Sequence, residues 1–228
     1  MCGRFSQALP AELLARLFQA EDRRFAMPEP SWNVAPSQSV AVAAWDPQRR
    51  RRVLTQMEWG LLAPWERHPD TARIRPINAR CETVVSSKLF RHAFQKRRCL
   101  VPIDAWFEWQ KAEGRKIPHA LARADHTPAV LGGIWECWRN PIGDRTLTLA
   151  IVTTPAAEEW AGIHDRMPLV LEEADWPTWL GEAEGDSAHP DGPAALMRPA
   201  EQGRIVAWRV GAAVGNPRNN GAQLLEAA

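Results

Sequence analysis

The second residue of the chain is a cysteine, in the stretch "MCGRF". Methionine is commonly removed when the residue after it is small, and cysteine qualifies. The product would carry an α-amine and a thiol on one residue. An α-amine has a pKa near ~7.8, against ~10.4 for lysine, so at pH 7 about 14% of it is neutral against ~0.04%, roughly 300-fold more free amine. Such an amine suits Schiff-base chemistry with an aldehyde. The adjacent thiol can then close onto the imine carbon as a five-membered thiazolidine, a step favoured by proximity. The plain alternative for Cys2 is a small hydrophobe near a frayed terminus. The pentapeptide alone does not decide.

Three other stretches hold residues of the right type. In "RPINARCE" (75–82) Asn78 and Arg80 are two apart and point the same way if extended; the alternative is a polar loop before a helix. In "DAWFEWQ" (104–110) Glu108 lies between Phe107 and Trp109. Desolvation there would raise its pKa and suit it to moving protons, whereas an outward-facing strand glutamate would do neither. In "GIHDRMPLVL" (162–171) His164, Asp165 and Arg166 precede an apolar run. Histidine titrates near neutrality and works as acid or base; an idle loop histidine is the other reading.

Elements must bring these groups together. The chain has 228 residues, which suits one domain over 1–228 and a core that needs no disulfide or metal. Apolar residues make up 45% and charged ones 24%, as in a soluble globular protein. The net charge of +1 excludes long-range steering to nucleic acid by the whole molecule, so any anion site must be local. The bases are nearly all arginine, which fits phosphate contacts or simply GC-rich coding. The cysteines, Cys2, Cys81, Cys99 and Cys137, have neither CxxC spacing nor a zinc pattern with histidine. No metal or cofactor is expected. With no signal peptide and no 18-residue apolar run, a reduced cytoplasmic protein away from membranes is expected.

The spacing predicts a helix over 10–20 with Leu13, Leu14, Leu17 and Phe18 on one face, and another over 82–97 with Val85, Leu89 and Phe94 inward. Short helices are expected at 155–162 and 172–181. Strands are expected at 39–45 and 52–60 around the turn "DPQRRR", and at 99–111 with Pro102 at an edge or bulge. "HALARA", "PAVLGGIWECW", "RTLTLAIVTT" and "RIVAWRV" supply more, and 181–203 reads as an irregular excursion. Hairpin-joined strands with a few helices between them argue α+β, a mostly antiparallel, barrel-like β core flanked by short helices.

"MCGRF", "WNVAPSQ" (32–38), "WGLLAPW" (59–65), "INAR" (77–80) with Glu82, "AWFEW" (105–109), "IHDRMP" (163–168) and "VGN" (214–216) occur in this order over nearly the whole chain. The sequence resembles the SOS response-associated peptidase (SRAP) family, whose members shield abasic sites in single-stranded DNA. The resemblance implies that Cys2, freed of Met1, forms a thiazolidine with the ring-opened abasic sugar. It implies that Asn78 orients substrate, that Glu108 acts on the amine, and that His164 assists ring opening and imine formation. It implies DNA contacts at Arg4, Asn33, Pro36, Trp65, Arg80, Thr153 and Arg166, and a protein acting as a monomer. The chain departs from the family pattern at Ala105, usually glycine, at Trp32, often tyrosine, and in the long charged segment 66–76. Competing classes are an N-terminal nucleophile amidotransferase, a cysteine protease built on Cys2, His164 and Asn78, and a non-covalent single-strand binder.

Overall fold

A computed structural model describes residues 2–20, 22–23, 27–66, 75–112, 114–140, 142–182 and 192–228. Its strands, among the described residues, are β1 (Phe5–Gln7), β2 (Asp22–Arg23), β3 (Ser31–Val34), β4 (Ser39–Asp46), β5 (Arg51–Trp59), β6 (Asn78–Arg80), β7 (Arg98–Ile103), β8 (Ala105–Ala112), β9 (Arg115–Arg123), β10 (Ala129–Arg139), β11 (Arg145–Pro155), β12 (Arg166–Pro168) and β13 (Ile205–Arg209). The helices are α1 (Ala11–Leu17), α2 (Cys81–Val84), α3 (Arg91–Lys96) and α4 (Trp176–Leu180), with several 3-10 turns. The fold is α+β with a barrel-like core, as the strand pattern implies.

The barrel runs β5–β4–β7–β10–β11 through antiparallel pairs, and a parallel contact of β11 with β5 closes it, Thr148 opposite Glu58 and Leu149 opposite Trp59. Closure removes two sheet edges. It also explains why these strands read as near-continuous apolar runs, since both faces are covered. One row, including Val42, Met57, Trp59, Val101, Leu149 and Ile151, fills the interior. The other row, including Ala43, Leu54, Leu100, Val130 and Val152, packs under Leu14, Phe18, Phe94 and Trp179 of the helical layer. A second sheet, β13-β9-β8-β1-β3, lies beside the barrel.

The expected strand over 99–111 is two strands in two sheets. The chain changes sheet at Asp104, whose Oδ2 accepts from Ser6 Oγ and from Ala8 N–H, both at 2.7 Å. Pro102 lies beyond Leu100, where the β4–β7 register ends. There the Gln7 side chain bridges the parted strands: Nε2 donates to the carbonyls of Ala41 (2.9 Å) and Pro102 (2.7 Å), and Oε1 accepts from Ala41 N–H. A proline with no N–H to offer is tolerated on the side where pairing with β4 has stopped, while β7 stays paired with β10 through Pro102 and Ile103.

The expected helix over 82–97 is broken into α2 and α3. Ser86 and Ser87 lie between them, with Ser86 Oγ on the Thr83 carbonyl at 3.3 Å, a local bond that competes with helix continuation. Val84 rather than Val85 is buried as a result. In α1 the expected face is half right: Leu14 and Phe18 are buried, but Leu13 is exposed. The segment 155–162 makes only a 3-10 turn at Glu158–Trp160, and 172–181 a 3-10 turn running into α4. Residues 183–191 of the expected excursion lie outside the described residues.

The glycine pair in β10 is set by crowding on both barrel faces. A Cβ on Gly133 would meet Cys99 Sγ at 2.8 Å and Val101 Cγ2 at 3.3 Å inside, and one on Gly132 would meet Leu169 Cδ2 at 2.8 Å outside. Gly133→Ala is expected to cost about 1–3 kcal/mol in urea unfolding. Adding Cys99→Ala should recover part of that loss, because it removes the clashing sulfur. An additive double mutant would place the strain elsewhere.

Candidate functional site

The site is assembled on four elements that the sequence keeps far apart. β1 pairs with β8, Phe5 opposite Trp106, and the Phe107 N–H donates to the Arg4 carbonyl at 2.9 Å. This antiparallel register carries the residues before Arg4 alongside Glu108. β6 pairs in parallel with β11, Asn78 opposite Ile151. Asn78 Nδ2 donates to the Cys2 carbonyl at 2.9 Å. The loop before β12 brings His164 in from the other side, and Glu108 and His164 line one cleft with Trp106 and Trp160. The cleft has about 10 Å3 of room, close to what one water needs. Any group larger than a water must therefore sit at its rim.

Cys2 is fully buried, and burial, with the nearby charge of Glu108, holds its thiol well above the ordinary value. At neutral pH Cys2 is therefore a thiol and not a standing thiolate. Glu108 is 3% exposed, and burial raises its carboxyl to about 7. Its two aromatic neighbours in sequence, Phe107 and Trp109, share the other face of β8. The carboxyl is desolvated instead by the cleft side, where Trp106, Leu121, Trp160 and Met167 surround it.

Partial burial lowers the pKa of His164, so the neutral ring dominates near pH 7. Its Nδ1 faces two partners that ask opposite things of it. The Arg166 N–H donates to Nδ1 at 3.0 Å, and the Asp165 carboxylate lies 2.8 Å away. In the neutral ring Nδ1 accepts from Arg166 and Nε2 carries the hydrogen. In the imidazolium Nδ1–H turns to Asp165, which is 86% exposed and so a screened partner.

The remaining polar capacity of the site is unspent. Asn78 Oδ1 and the indole N–H groups of Trp106 and Trp160 are buried without hydrogen-bond partners among the described residues. They are one acceptor and two donors around the cleft, fit for the hydroxyls of a sugar. Trp106 was within reach of sequence reasoning, since it stands two residues before Glu108 and shares its strand face. Trp160 had no local signal.

The proposed DNA-contact residues fall into two groups. Pro36, Trp65 and Arg80 are exposed, Trp65 at 57%. The others are engaged within the protein. Arg4 donates to Asn33 Oδ1 (3.0 Å) and the Val214 carbonyl (2.9 Å) and lies over Trp109. Asn33 is buried, and its Nδ2 donates to the carbonyls of Val214, Asn216 and Asn219. It works as a strut that ties the "VGN" loop to β3. Thr153 is fully buried and its Oγ1 accepts from Arg166. Arg166 also forms a two-point ion pair with Glu82, a residue sequence reasoning left without a role. A phosphate reaching Arg166 has to displace Glu82. Residues 67–74 of the long charged segment lie outside the described residues.

Among the described residues no group of three histidine, cysteine or acidic side chains could hold a metal, and all four cysteines are free. No helix among them is long and apolar enough to cross a membrane.

Residues 1–217 match the family model described as SOS response associated peptidase (SRAP). Abasic site processing protein YoqW of Bacillus subtilis (strain 168) is 32% identical over 231 residues, 99% of each chain. Abasic site processing protein YedK of Escherichia coli (strain K12) is 33% identical over 234 residues, again 99% of each. Abasic site processing protein HMCES of Gallus gallus is 30% identical, over 88% of this chain and 70% of its own. The crystal structure of a protein from Bacteroides thetaiotaomicron shares the fold with a TM-score of 0.85 at 21% identity, covering 100% of both chains.

The raised Glu108 carboxyl has a consequence for stability. The folded protein holds this proton to higher pH than the unfolded chain, whose glutamate titrates near 4.5. Stability from this group is complete below about 4.5 and is lost as pH rises through about 7, by up to about 3 kcal/mol. Glu108→Gln should therefore gain stability over the parent between about pH 5 and pH 8. Equal differences at both pH values in thermal unfolding would contradict the burial assignment.

Proposed function

The chain belongs to the SOS response associated peptidase (SRAP) family, and from that premise we propose that it processes abasic sites in single-stranded DNA by covalent capture through Cys2. The reading is carried by one observation: Cys2 is held at its carbonyl by Asn78, beside a glutamate that titrates near neutrality. Hydrolysis of the Met1–Cys2 peptide bond comes first, by the protein itself or by another peptidase, and releases the α-amine. While Met1 is attached, that nitrogen is an amide and cannot attack a carbonyl.

The abasic sugar is mostly a closed hemiacetal. Opening it needs a proton delivered to the ring oxygen and one removed from the anomeric hydroxyl, work suited to His164. The amine of Cys2 then adds to the C1′ aldehyde. Glu108 takes the two protons the nitrogen loses, one on addition and one on dehydration, and returns each in turn to the former aldehyde oxygen, which leaves as water and gives the imine. The Cys2 sulfur adds to the imine carbon, its proton passes by way of Glu108 to the ring nitrogen, and the thiazolidine is complete. No oxidant is needed, and the atoms of one water are all that is lost. A carboxyl with a pKa near 7 is present in both forms at neutral pH, which this shuttle requires.

Exposed Trp65 stacks on a base beside the lesion and Arg80 meets a flanking phosphate; stacking of this kind is worth about 1–3 kcal/mol per base. The result shields the lesion while a strand is single, as a monomer in the cytoplasm.

The test is a denaturing gel of Met1-free protein incubated with a single strand carrying one abasic site. A band that survives heating in detergent is expected. It should vanish in Cys2→Ala, weaken in Cys2→Ser and be absent when Met1 is retained. A full-strength band in Cys2→Ala would sink the assignment. His164→Ala and Glu108→Gln should slow capture by about 10²-fold or more with little change in binding to intact single strands. Arg80→Ala should flatten the dependence of binding on salt by about 0.7 in the log–log slope. An unchanged slope would remove Arg80 from the phosphate contacts.

A further inference from the structure

The barrel is filled at one end and open at the other. Trp59 and Ile151 pack with Cys2 and Phe5 at the end that carries the site. At the opposite end a cavity of about 380 Å3 opens between β4, β5, β10 and β11. From Arg145 at this mouth to Ile151 beside Asn78 is about 20 Å along β11, at ~3.3 Å per residue. The cavity shares no lining residue with the cleft of Glu108 and His164.

Two observations point to a ligand here. The first is at the rim. Arg139 and Arg145 stand directly opposite each other across the β10–β11 pair, an arrangement that like charges disfavour. Both are exposed, and neither has an ion-pair or hydrogen-bond partner among the described residues. The other charges at the mouth do not relieve them. Arg97 is held by Glu136 at 2.7 Å and lies over Trp135. Asp46 accepts from the N–H groups of Gln48 and Arg49 in its own turn.

The second observation is inside. The inward row of β5 runs Trp59, Met57, Thr55, Val53, so a hydroxyl interrupts an apolar wall. Thr55 lines the cavity at 3% exposure, and its Oγ1 has no hydrogen-bond partner. Leaving a buried hydroxyl unpaired is unfavourable. The cavity thus presents an unpaired cationic rim, an apolar and indole-lined wall and a single deep hydroxyl, within the size range of small-ligand sites.

We propose that this mouth of the barrel is a second binding site, for a phosphate monoester carried on a heteroaromatic ring, a mononucleotide in chemical class. The phosphate lies between Arg139 and Arg145, where an anion turns their repulsion into paired, charge-assisted hydrogen bonds. The ring enters along Met57 and Trp135 and meets the Thr55 hydroxyl with a ring nitrogen or carbonyl. A neutral nucleoside leaves the two arginines unrelieved. An aliphatic phosphate leaves Thr55 unpaired. The same chemistry is found in a free mononucleotide and in the 5′-phosphorylated end of a strand.

The experiment is calorimetric titration of the full chain with deoxyadenosine monophosphate, inorganic phosphate, deoxyadenosine, and one oligonucleotide with and without a 5′-phosphate. The monophosphate is expected to bind about tenfold or more tighter than phosphate or nucleoside alone. Arg139→Ala with Arg145→Ala should weaken it by about tenfold or more. Thr55→Val, which keeps the shape, should weaken the monophosphate several-fold and leave phosphate unchanged. Covalent capture through Cys2 should be normal in all of these variants. Preference for the phosphorylated strand end over the free monophosphate assigns DNA ends as the source, and the reverse preference assigns free nucleotides. No saturable binding, equal binding of phosphate and monophosphate, or binding that the variants do not alter would overturn the proposal. Loss of covalent capture in the arginine variant would also overturn it, because the mouth would then belong to the DNA track of the Cys2 site.

Discussion

A chain terminus frays unless something ties it down, and everything in this site depends on how β1 is tied. β1 runs between β8 and β3. Ser6 and Ala8 bind the Asp104 carboxylate, and the Gln7 amide spans the gap between β4 and β7. Phe5 packs on Trp59 with ring centroids 4.8 Å apart. Three consecutive side chains are thereby locked into three different parts of the core. Cys2, three residues upstream, inherits that rigidity and gains its own anchor from Asn78. The position of Cys2 is thus set by the strand behind it as well as by Asn78.

The same burial that steadies the terminus shapes the chemistry. Desolvation pushes the Cys2 thiol up, the Glu108 carboxyl up and the His164 imidazole down, all toward the neutral form. For a standing nucleophile this would be a defect. For imine chemistry it helps, because neutral groups can each give or take a proton without first separating charge. The cost is borne by the fold, since a carboxyl buried on β8 destabilises the protein at the pH where it begins to ionise.

The arginine-rich composition divides in the structure into uses that charge counting cannot separate. Arg4 and Arg166 are internal braces, one to Asn33 and the Val214 carbonyl, the other to Glu82 and Thr153. Arg80 is exposed at the end of the strand that carries Asn78. Arg139 and Arg145 face each other at the far mouth of the barrel. A net charge of +1 therefore hides local surfaces of quite different character, and the two ends of one barrel differ in what they can hold.

The apolar runs of β4, β10 and β11 mark these strands in the sequence, because they are properties of a few adjacent residues. The desolvation of Glu108 comes instead from Trp160 and Met167, far along the chain, and not from its neighbours Phe107 and Trp109, which face the other way. The order of the short motifs along the chain was enough to indicate the family. The sequence was less informative wherever the answer lay in a partner far along the chain. The split of 99–111 into two sheets turns on Asp104 meeting Ser6 and Ala8. The break in 82–97 turns on two serines whose pull against helix formation competes with an apolar pattern that fits a single helix. The Glu82–Arg166 pair, the approach of Cys2 to Glu108 and the parallel contact that closes the barrel all join residues more than 80 positions apart. Such contacts follow from strand register and sheet order, which arise only when the whole chain packs. The residue types by themselves determined which reaction was possible; tertiary structure decided which of them meet, because only register brings a terminus, a strand and a loop to the same few ångströms.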